Sequence, residues 1–289
     1  MKNHISLLVT DLDNTLWNWF DIWYAPFSAM LEEIVGLSGI DRATIIAEIR
    51  AVHQVRGTSE YTYLIQELPS LQKRHPGEDL GVVYENAIHS YRSSRRDVMA
   101  LYPGVREVLA TIKDCGTRII AYTESHAYVS SYRLKKFGLD GVVDVLFSPP
   151  DHDFPTGITP EQMRTLNSEE YKLSTTEHRH TPRGHLKPDS AILELIVDEF
   201  GEEASSTVYV GDNLMKDIAM AQKVGIFDVW AKYGTEIDPD EYSLLQKVSH
   251  WSPEDIEREI EMKNAPNVTA TFTLEDNFAE ILNYFEFGA

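Results

Sequence analysis

A short apolar run that ends in two carboxylates constrains this chain more than any other feature. Leu7, Leu8 and Val9 stand together, and Asp11 and Asp13 follow them. Such a run is typical of a strand that is covered on both faces in a parallel sheet, and ligands bind outside the carboxyl ends of these strands. Residues two apart share a face. We therefore predict a buried first strand that delivers both carboxylates into one pocket, rather than an ordinary strand followed by an Asp/Asn turn.

Length and composition predict a cytoplasmic globular protein. The chain has 289 residues, of which 43% are hydrophobic and 25% are charged, enough for one sizeable α/β domain and a smaller one. The single cysteine, Cys115, has no intrachain partner, which fits a reducing compartment. The first apolar run is too short for a secretory signal and no segment reaches transmembrane length, so we expect no membrane association.

The charge of the chain limits its partners. A formal net charge of −20 argues against nucleic acid, because phosphate contacts need clustered Lys and Arg. A small phosphorylated substrate remains compatible with this charge, since local cations and a bound metal can invert the field inside one cleft. The sequence leaves the oligomeric state open.

A long helical segment follows the first strand. Between residues 17 and 99, apolar residues recur at helical spacing in four stretches, with no strand pattern between them. Tyr102-Pro103-Gly104 marks the return to alternating strands and helices, which predicts a parallel sheet with right-handed crossovers. We therefore predict an α/β core of residues 1–16 and 100–289, with a helical cap of residues 17–99 inserted after the first strand.

The rest of the core pattern predicts further strands, and these lie at 118–122, 142–147, 207–210, 226–230 and 270–274. A last helix is predicted at 275–285. Residues 148–186, rich in Pro and His, are predicted as an extended loop or flap, and the acidic residues 238–263 as a peripheral helical excursion. A zinc site at His178 and His180 is less favoured than a solvated loop, because no cysteine lies nearby and the spacing matches no closed zinc site.

Polar residues stand at the predicted strand ends or just before a helix: Asp11, Asp13, Thr123, Lys187, Asp212 and Asp217. Because the carboxyl ends of parallel strands meet at one edge, we expect one pocket there. Carboxylates from two strands suit Mg²⁺, a hard cation that keeps several waters. Lys187 adds a point charge, and Thr123 a hydroxyl beside a helix N-terminus. A metal, a lysine, a hydroxyl and a carboxylate nucleophile are what phosphoryl transfer through an aspartyl phosphate requires.

These residues resemble, in order, the four motifs of the haloacid dehalogenase (HAD) superfamily of phosphatases. The matching residues are Asp11-Leu-Asp13-Asn-Thr15, then Thr123, then Lys187-Pro188, then Gly211-Asp212 through Asp217. The resemblance covers the core from Ile5 to about Trp230, and it implies a Rossmann-like parallel sheet with an inserted all-helical cap. Each later motif alone also fits a helix cap or a solvated side chain, whereas the ordered set is specific.

The resemblance implies the catalytic and metal roles. Asp11 would be the nucleophile, and Asp13 the general acid and then the general base. Asp212 would complete a Mg²⁺ site with the Asp11 carboxylate and the Asp13 backbone carbonyl.

The same resemblance implies a set of residues that bind the substrate phosphate. Thr123, Glu124 and Lys187 would form this set, and Asp217 would support Lys187 or the metal waters. Glu124 departs from the family, which often has Asn there, and the loop 148–186 is longer than usual. Either departure is expected to reshape the substrate pocket.

The cap is expected to select the substrate. Trp17 and Trp23 belong to an aromatic cluster near the hinge, which is either cap core or a surface for ring stacking. Arg56 lies in an inter-helix loop that we expect to face the active site.

Together these features predict a Mg²⁺-dependent hydrolase of phosphate monoesters of small metabolites. The alternatives are a phosphomutase, a dehalogenase-like hydrolase, a phospho-receiver domain or a catalytically idle phospho-ligand binding protein. Asp13 favours a phosphatase over a dehalogenase, because a poor alkoxide leaving group needs a proton and the dehalogenase branch lacks this second acid.

Overall fold

The computed structural model describes residues 2–163, 167–200, 203–257 and 268–288. Parts of two predicted segments therefore lie outside the described residues, namely 164–166 of the predicted loop and 258–263 of the predicted excursion. Among the described helices, none combines the length and the hydrophobicity needed to cross a membrane.

A seven-stranded parallel sheet forms the centre of the molecule, in the order β5-β4-β3-β2-β6-β7-β8. The strands are β1 Asn3–Ile5, β2 Leu7–Thr10, β3 Arg118–Tyr122, β4 Val145–Ser148, β5 Glu177–His180, β6 Thr207–Gly211, β7 Phe227–Ala231, β8 Phe272–Leu274 and β9 Phe285–Phe287. β2 is the middle strand, with β3 and β6 on either side in parallel register. All three of its apolar residues are fully buried, as the continuous apolar run predicts. The predicted α/β class is confirmed.

The helices that follow the inserted region include those that cover both faces of this sheet. They are α7 Val105–Asp114, α8 Ala127–Lys136, α9 Pro160–Met163, α10 Ala191–Glu199, α11 Ala219–Val224, α12 Pro239–Val248 and α13 Ile281–Tyr284. α7 and α8 contribute to the apolar core on one face, and α10 and α11 to the core on the other. Because both faces are covered, the carboxyl ends of the strands are where polar groups can gather.

The inserted region is helical, as predicted. It comprises α1 Trp19–Ser38, α2 Arg42–Arg56, α3 Leu64–Glu67, α4 Pro69–Arg74, α5 Leu80–Val83 and α6 Glu85–Val98. Asn18 caps α1 by accepting a hydrogen bond from the Asp21 amide, and Gly39 ends the helix in the left-handed region at φ 63°. The second half is broken into short pieces, since Pro69 starts a new helix directly after Leu68.

Two strands lie where the sequence pattern predicts a loop or a helix. β5 pairs with β4 inside the predicted flap, and its sequence Glu-His-Arg-His carries no apolar alternation because it is a partly exposed edge strand. β9 pairs with β1 in a separate two-stranded sheet. The predicted last helix, 275–285, is shorter in the structure, since α13 begins only at Ile281 and ends at Tyr284.

α12 packs on the helical cap. Its residues Leu244, Leu245 and Val248 are buried in the same apolar cluster as the cap helices. The Nδ1 atom of His53 in α2 hydrogen bonds to the Val248 carbonyl oxygen at 2.7 Å. The described part of the predicted excursion is thus a component of the cap core rather than a peripheral feature.

Candidate active site

Asp11 follows the central strand directly. Its amide donates to the Val210 carbonyl at 2.8 Å, and one carboxylate oxygen accepts a 3.3 Å hydrogen bond from the Thr15 hydroxyl. The turn that follows is packed against the backbone of Gly234, where an added Cβ would lie 1.6 Å from the Asn14 carbonyl oxygen. The position of the loop that follows Asp11 therefore depends on the absence of a side chain at residue 234.

Lys187 lies between two carboxylates. It is 6% exposed, and its Nζ atom is 2.5 Å from Asp11 Oδ1 and 2.8 Å from Asp217 Oδ1. Burial alone would lower the pKa of Lys187, but the two carboxylates raise that pKa well above its usual value. The Tyr209 hydroxyl and the Asn213 amide donate to Asp217 at 2.9 Å and 3.1 Å. The ammonium is therefore a fixed positive charge beside the Asp11 carboxylate.

Three carboxylates meet beside this lysine. Oxygens of Asp11, Asp212 and Asp217 all lie within 4.8 Å of one another. Burial, partly offset by Lys187, raises the pKa of Asp11 to about 7, and burial and the neighbouring Asp217 raise the pKa of Asp212 well above its usual range. Crowded buried carboxylates of this kind are stabilised by a divalent cation. The donor set of hard oxygens fits Mg²⁺, and Asp217, which also binds Lys187, lies beside the two carboxylates that the resemblance implies as ligands.

Asp13 has different surroundings from Asp11. Its Oδ1 atom accepts a 2.7 Å hydrogen bond from Trp17 Nε1, and Oδ2 accepts one from the Ser125 hydroxyl. Arg133 Nη1 lies 3.5 Å from Oδ1. Burial raises the pKa of Asp13, although Arg133 opposes this shift. A raised pKa favours the protonated form of a carboxyl group, which is the form that a general acid needs.

The residues predicted to bind phosphate occupy the neighbouring strand end. Thr123 is 1% exposed, and its hydroxyl accepts a hydrogen bond from the Ser125 amide at 3.1 Å. Glu124 accepts 2.8 Å hydrogen bonds from the Lys187 amide and from Lys216 Nζ. Glu124 therefore anchors the backbone of Lys187. Lys216 was not among the predicted site residues, although it directly precedes Asp217.

Of the three cap residues predicted to contact substrate, Arg56 and Trp23 hydrogen bond within the cap, whereas Trp17 contacts Asp13. Arg56 donates from both Nε and Nη2 to the Glu67 carboxylate, and Trp23 is 3% exposed with its Nε1 bound to the Ser59 carbonyl. Trp17, at 1% exposed, contacts Asp13 as described above. Among the described contacts, neither Arg56 nor Trp23 reaches an active-site carboxylate.

Glu60 is the cap residue that comes close to the acids. Its carboxylate accepts hydrogen bonds from both terminal nitrogens of Arg133 and, at 3.3 Å, from Trp19 Nε1. The sequence analysis names Arg56 from the neighbouring inter-helix loop as a candidate, but it names neither Glu60 nor Arg133. Loop membership was the available signal for Glu60, whereas nothing in the sequence marks Arg133.

A family model and several solved structures match most of this chain. The model of a family described as haloacid dehalogenase-like hydrolase matches residues 5–225. No curated protein sequence matches. Among solved structures, a 2-haloacid dehalogenase from Pseudomonas syringae pv. Tomato DC3000 is 16% identical, with 97% of each chain covered and a TM-score of 0.52. The HAD-hydrolase YfnB from Bacillus subtilis, bound to magnesium, is 14% identical, with 94% of this chain and 95% of that chain covered and a TM-score of 0.47. At these identities the likeness shows the fold alone.

Proposed function

Because this chain belongs to the haloacid dehalogenase-like hydrolase family, we propose that it hydrolyses phosphate monoesters of small metabolites through a phosphorylated Asp11. The observation that carries the proposal is the contrast between two carboxylates two residues apart. Asp11 lies against Lys187 and the other acids, whereas Asp13 is hydrogen bonded to Trp17 and Ser125. Such separated environments suit a nucleophile and a proton donor.

The first step is attack by Asp11. A carboxylate oxygen of Asp11 forms a bond to phosphorus while the bond from phosphorus to the alcohol oxygen breaks, and Asp13 gives its proton to that leaving oxygen. Lys187 offsets the negative charge of the phosphoryl oxygens, with Thr123 as a further donor. The second step reverses these roles, because Asp13 accepts a proton from the water whose oxygen displaces the Asp11 carboxylate from phosphorus.

Mg²⁺ fits the carboxylates that gather beside Lys187. We assign Asp11 and Asp212 as carboxylate ligands and the backbone carbonyl of Asp13 as a third, with Asp217 as support for Lys187 or for the metal waters. When bound, the cation supplies positive charge that lowers the repulsion between the Asp11 carboxylate and the anionic substrate.

Dehalogenation is the principal alternative within the same chemistry. Halide is a good leaving group that needs no proton, so a dehalogenase has no use for an acid placed like Asp13. The hydrogen bonds that orient the Asp13 carboxyl beside Asp11 therefore favour phosphate esters over haloacids. A phosphomutase or a phospho-ligand binding protein would share the same phosphoryl contacts.

A panel of phosphate esters, assayed with Mg²⁺ and with excess chelator, tests the proposal. We expect metal-dependent phosphate release that disappears in Asp11→Asn, since an amide is neither a nucleophile nor an anionic ligand. Asp97→Asn changes an exposed acid on α6 and serves as the matched control. Full activity of Asp11→Asn, or of the wild type in chelator, would refute the aspartyl-phosphate mechanism.

A further inference from the structure

A small cleft lies between the cap and the core, beside the active site. Its volume is about 30 Å³, and its polar lining consists mainly of Glu60, Tyr91, Arg95, Tyr128, Tyr132 and Arg133. One wall is the cap helix α6 and the opposite wall is the core helix α8. A space of this size holds about two waters or one small polar group.

The cleft is next to the proposed proton donor. Arg133 lines the cleft and also lies 3.5 Å from Asp13 Oδ1. Asp13 faces the leaving oxygen in the proposed reaction, so the alcohol part of the substrate extends from Asp13 toward this cleft. The cleft is therefore placed to recognise the part of the substrate that is released.

The two arginines of the cleft differ in how their charge is balanced. Arg133 is paired with the Glu60 carboxylate. The Cζ atom of Arg95 lies 5.6 Å from the ring centroid of Tyr91 and 5.2 Å from that of Tyr132. No ion pair joins Arg95 to any carboxylate in the described part of the chain. In a protein with a net charge of −20, a half-buried guanidinium without an anionic partner is unusual.

Two aromatic rings lie close to the Arg95 guanidinium. A planar guanidinium offers two parallel donors that match the two oxygens of a carboxylate, and the flanking rings attract its charge through cation–π contacts. The small volume excludes a sugar ring or a nucleobase and accommodates a single carboxylate.

We propose that this cleft binds a carboxylate of the leaving group, so that the substrates are phosphate esters of small hydroxy acids and Arg95 is the residue that selects them. The proposal rests on the phosphatase function proposed above. Arg95 acts on a non-reacting part of the substrate, so it determines specificity without taking part in bond making.

The test compares O-phosphorylated hydroxy acids, with the carboxylate one, two or three carbons from the ester carbon, against their carboxamides. We expect the wild type to prefer one or more of the carboxylates in kcat/KM. Arg95→Met should lower kcat/KM for the preferred carboxylate by about 10- to 100-fold, the usual cost of a charged hydrogen bond, and leave its amide unchanged. Arg95→Lys should retain part of the preference. Arg92→Met, an exposed arginine on the same helix, should change neither.

Binding measurements test the cleft assignment independently of phosphate ester hydrolysis. Titration calorimetry of the same ester pairs with Asp11→Asn, alone and combined with Arg95→Met, measures recognition without turnover. Tighter binding of a carboxylate, lost with Arg95→Met, supports the cleft whether or not any ester is hydrolysed. Equal binding of carboxylate and amide in every pair would overturn the cleft assignment and leave the phosphatase proposal intact. Absence of hydrolysis with the binding preference present would instead overturn the phosphatase proposal alone.

Discussion

Arg133 of the core helix α8 is paired with Glu60 of the cap and lies 3.5 Å from Asp13 Oδ1. The three side chains are 5%, 15% and 18% exposed. Two carboxylates from different parts of the chain therefore share one buried cation. This contact joins the cap directly to the proposed general acid, so the placement of the cap and the environment of Asp13 depend on each other.

Removal of Arg133 should destabilise the protein. Arg133→Met leaves two largely buried carboxylates without their cation, and breaking such a pair from one side costs about 3 kcal/mol. The double variant Glu60→Gln with Arg133→Met should be more stable than Arg133→Met, because one of the stranded charges is gone. Urea unfolding measures the free energy of unfolding of the single and the double variant. Arg42→Met, which breaks an exposed pair with Glu32, is the control and should change the free energy of unfolding little. If the stability losses of Glu60→Gln and Arg133→Met simply add in the double variant, the coupling between the two residues is contradicted.

Gly211 should be essential for activity because of the Asp217 side chain. A Cβ at residue 211 would lie 2.4 Å from Asp217 Cγ, so Gly211→Ala must displace the carboxylate that holds Lys187. We expect a fall in kcat of at least about tenfold, since small misplacements of catalytic groups have large effects. Gly36→Ala in helix α1 has no atom within 4 Å of the new Cβ. That control should gain about 0.5–1 kcal/mol of stability and keep its activity. Equal kcat values for the two variants would show that Asp217 tolerates displacement.

The cap should lose stability in mild acid through His53. Burial lowers the pKa of His53 to about 4 from its usual 6.5, and its Nε2 atom has no hydrogen-bond partner among the described residues. The unfolded chain binds a proton below about pH 6.5, whereas the folded chain does so only near pH 4. Stability should therefore fall between these two values and level off below pH 4, by at most about 3 kcal/mol for this residue.

Urea unfolding at pH 7 and pH 4.5 measures this effect. His53→Gln cannot titrate but keeps a donor for the Val248 carbonyl, so it should show a smaller difference between the two pH values than the wild type. His178 and His250, whose pKa values are also lowered to about 4 by burial, should retain the rest. The exposed His89→Gln serves as the control, and a pH difference in His53→Gln as large as that of the wild type would contradict the assignment.

The sequence predicted the sheet and the position of the acids because buried strands are continuous apolar runs. Leu7 to Val9 carries that signal, and so do the strands that end before Thr123 and Asp212. β5 escaped prediction because an exposed edge strand needs no apolar pattern. Polar residues at the strand ends therefore identified side chains that the structure brings close together, such as Asp11, Lys187 and Asp212.

Contacts across the cap boundary could not be predicted in the same way. Arg56 and Glu60 lie in one short segment, and the sequence does not say which of them turns toward the core. Their orientations follow from their ion-pair partners, since Arg56 pairs with Glu67 inside the cap and Glu60 pairs with Arg133 of the core. Likewise, the exposed-looking acidic stretch near Leu245 contributes to the cap core only because α2 lies against it.

Lys187 and Arg56 should differ in how they affect a panel of phosphate esters. Every ester presents the same phosphoryl group to Lys187, so Lys187→Ala should lower kcat/KM for all of them alike, by about 10²- to 10³-fold. Arg56 is bound to Glu67 and packs over the Tyr61 ring, so Arg56→Ala should reduce cap stability and leave the ranking of the esters unchanged. Steady-state constants for several esters, with circular dichroism to verify folding, measure both effects. A changed ranking in Arg56→Ala would restore it as a residue that contacts substrate, and an ester-dependent loss in Lys187→Ala would show that the ammonium also contacts the leaving group.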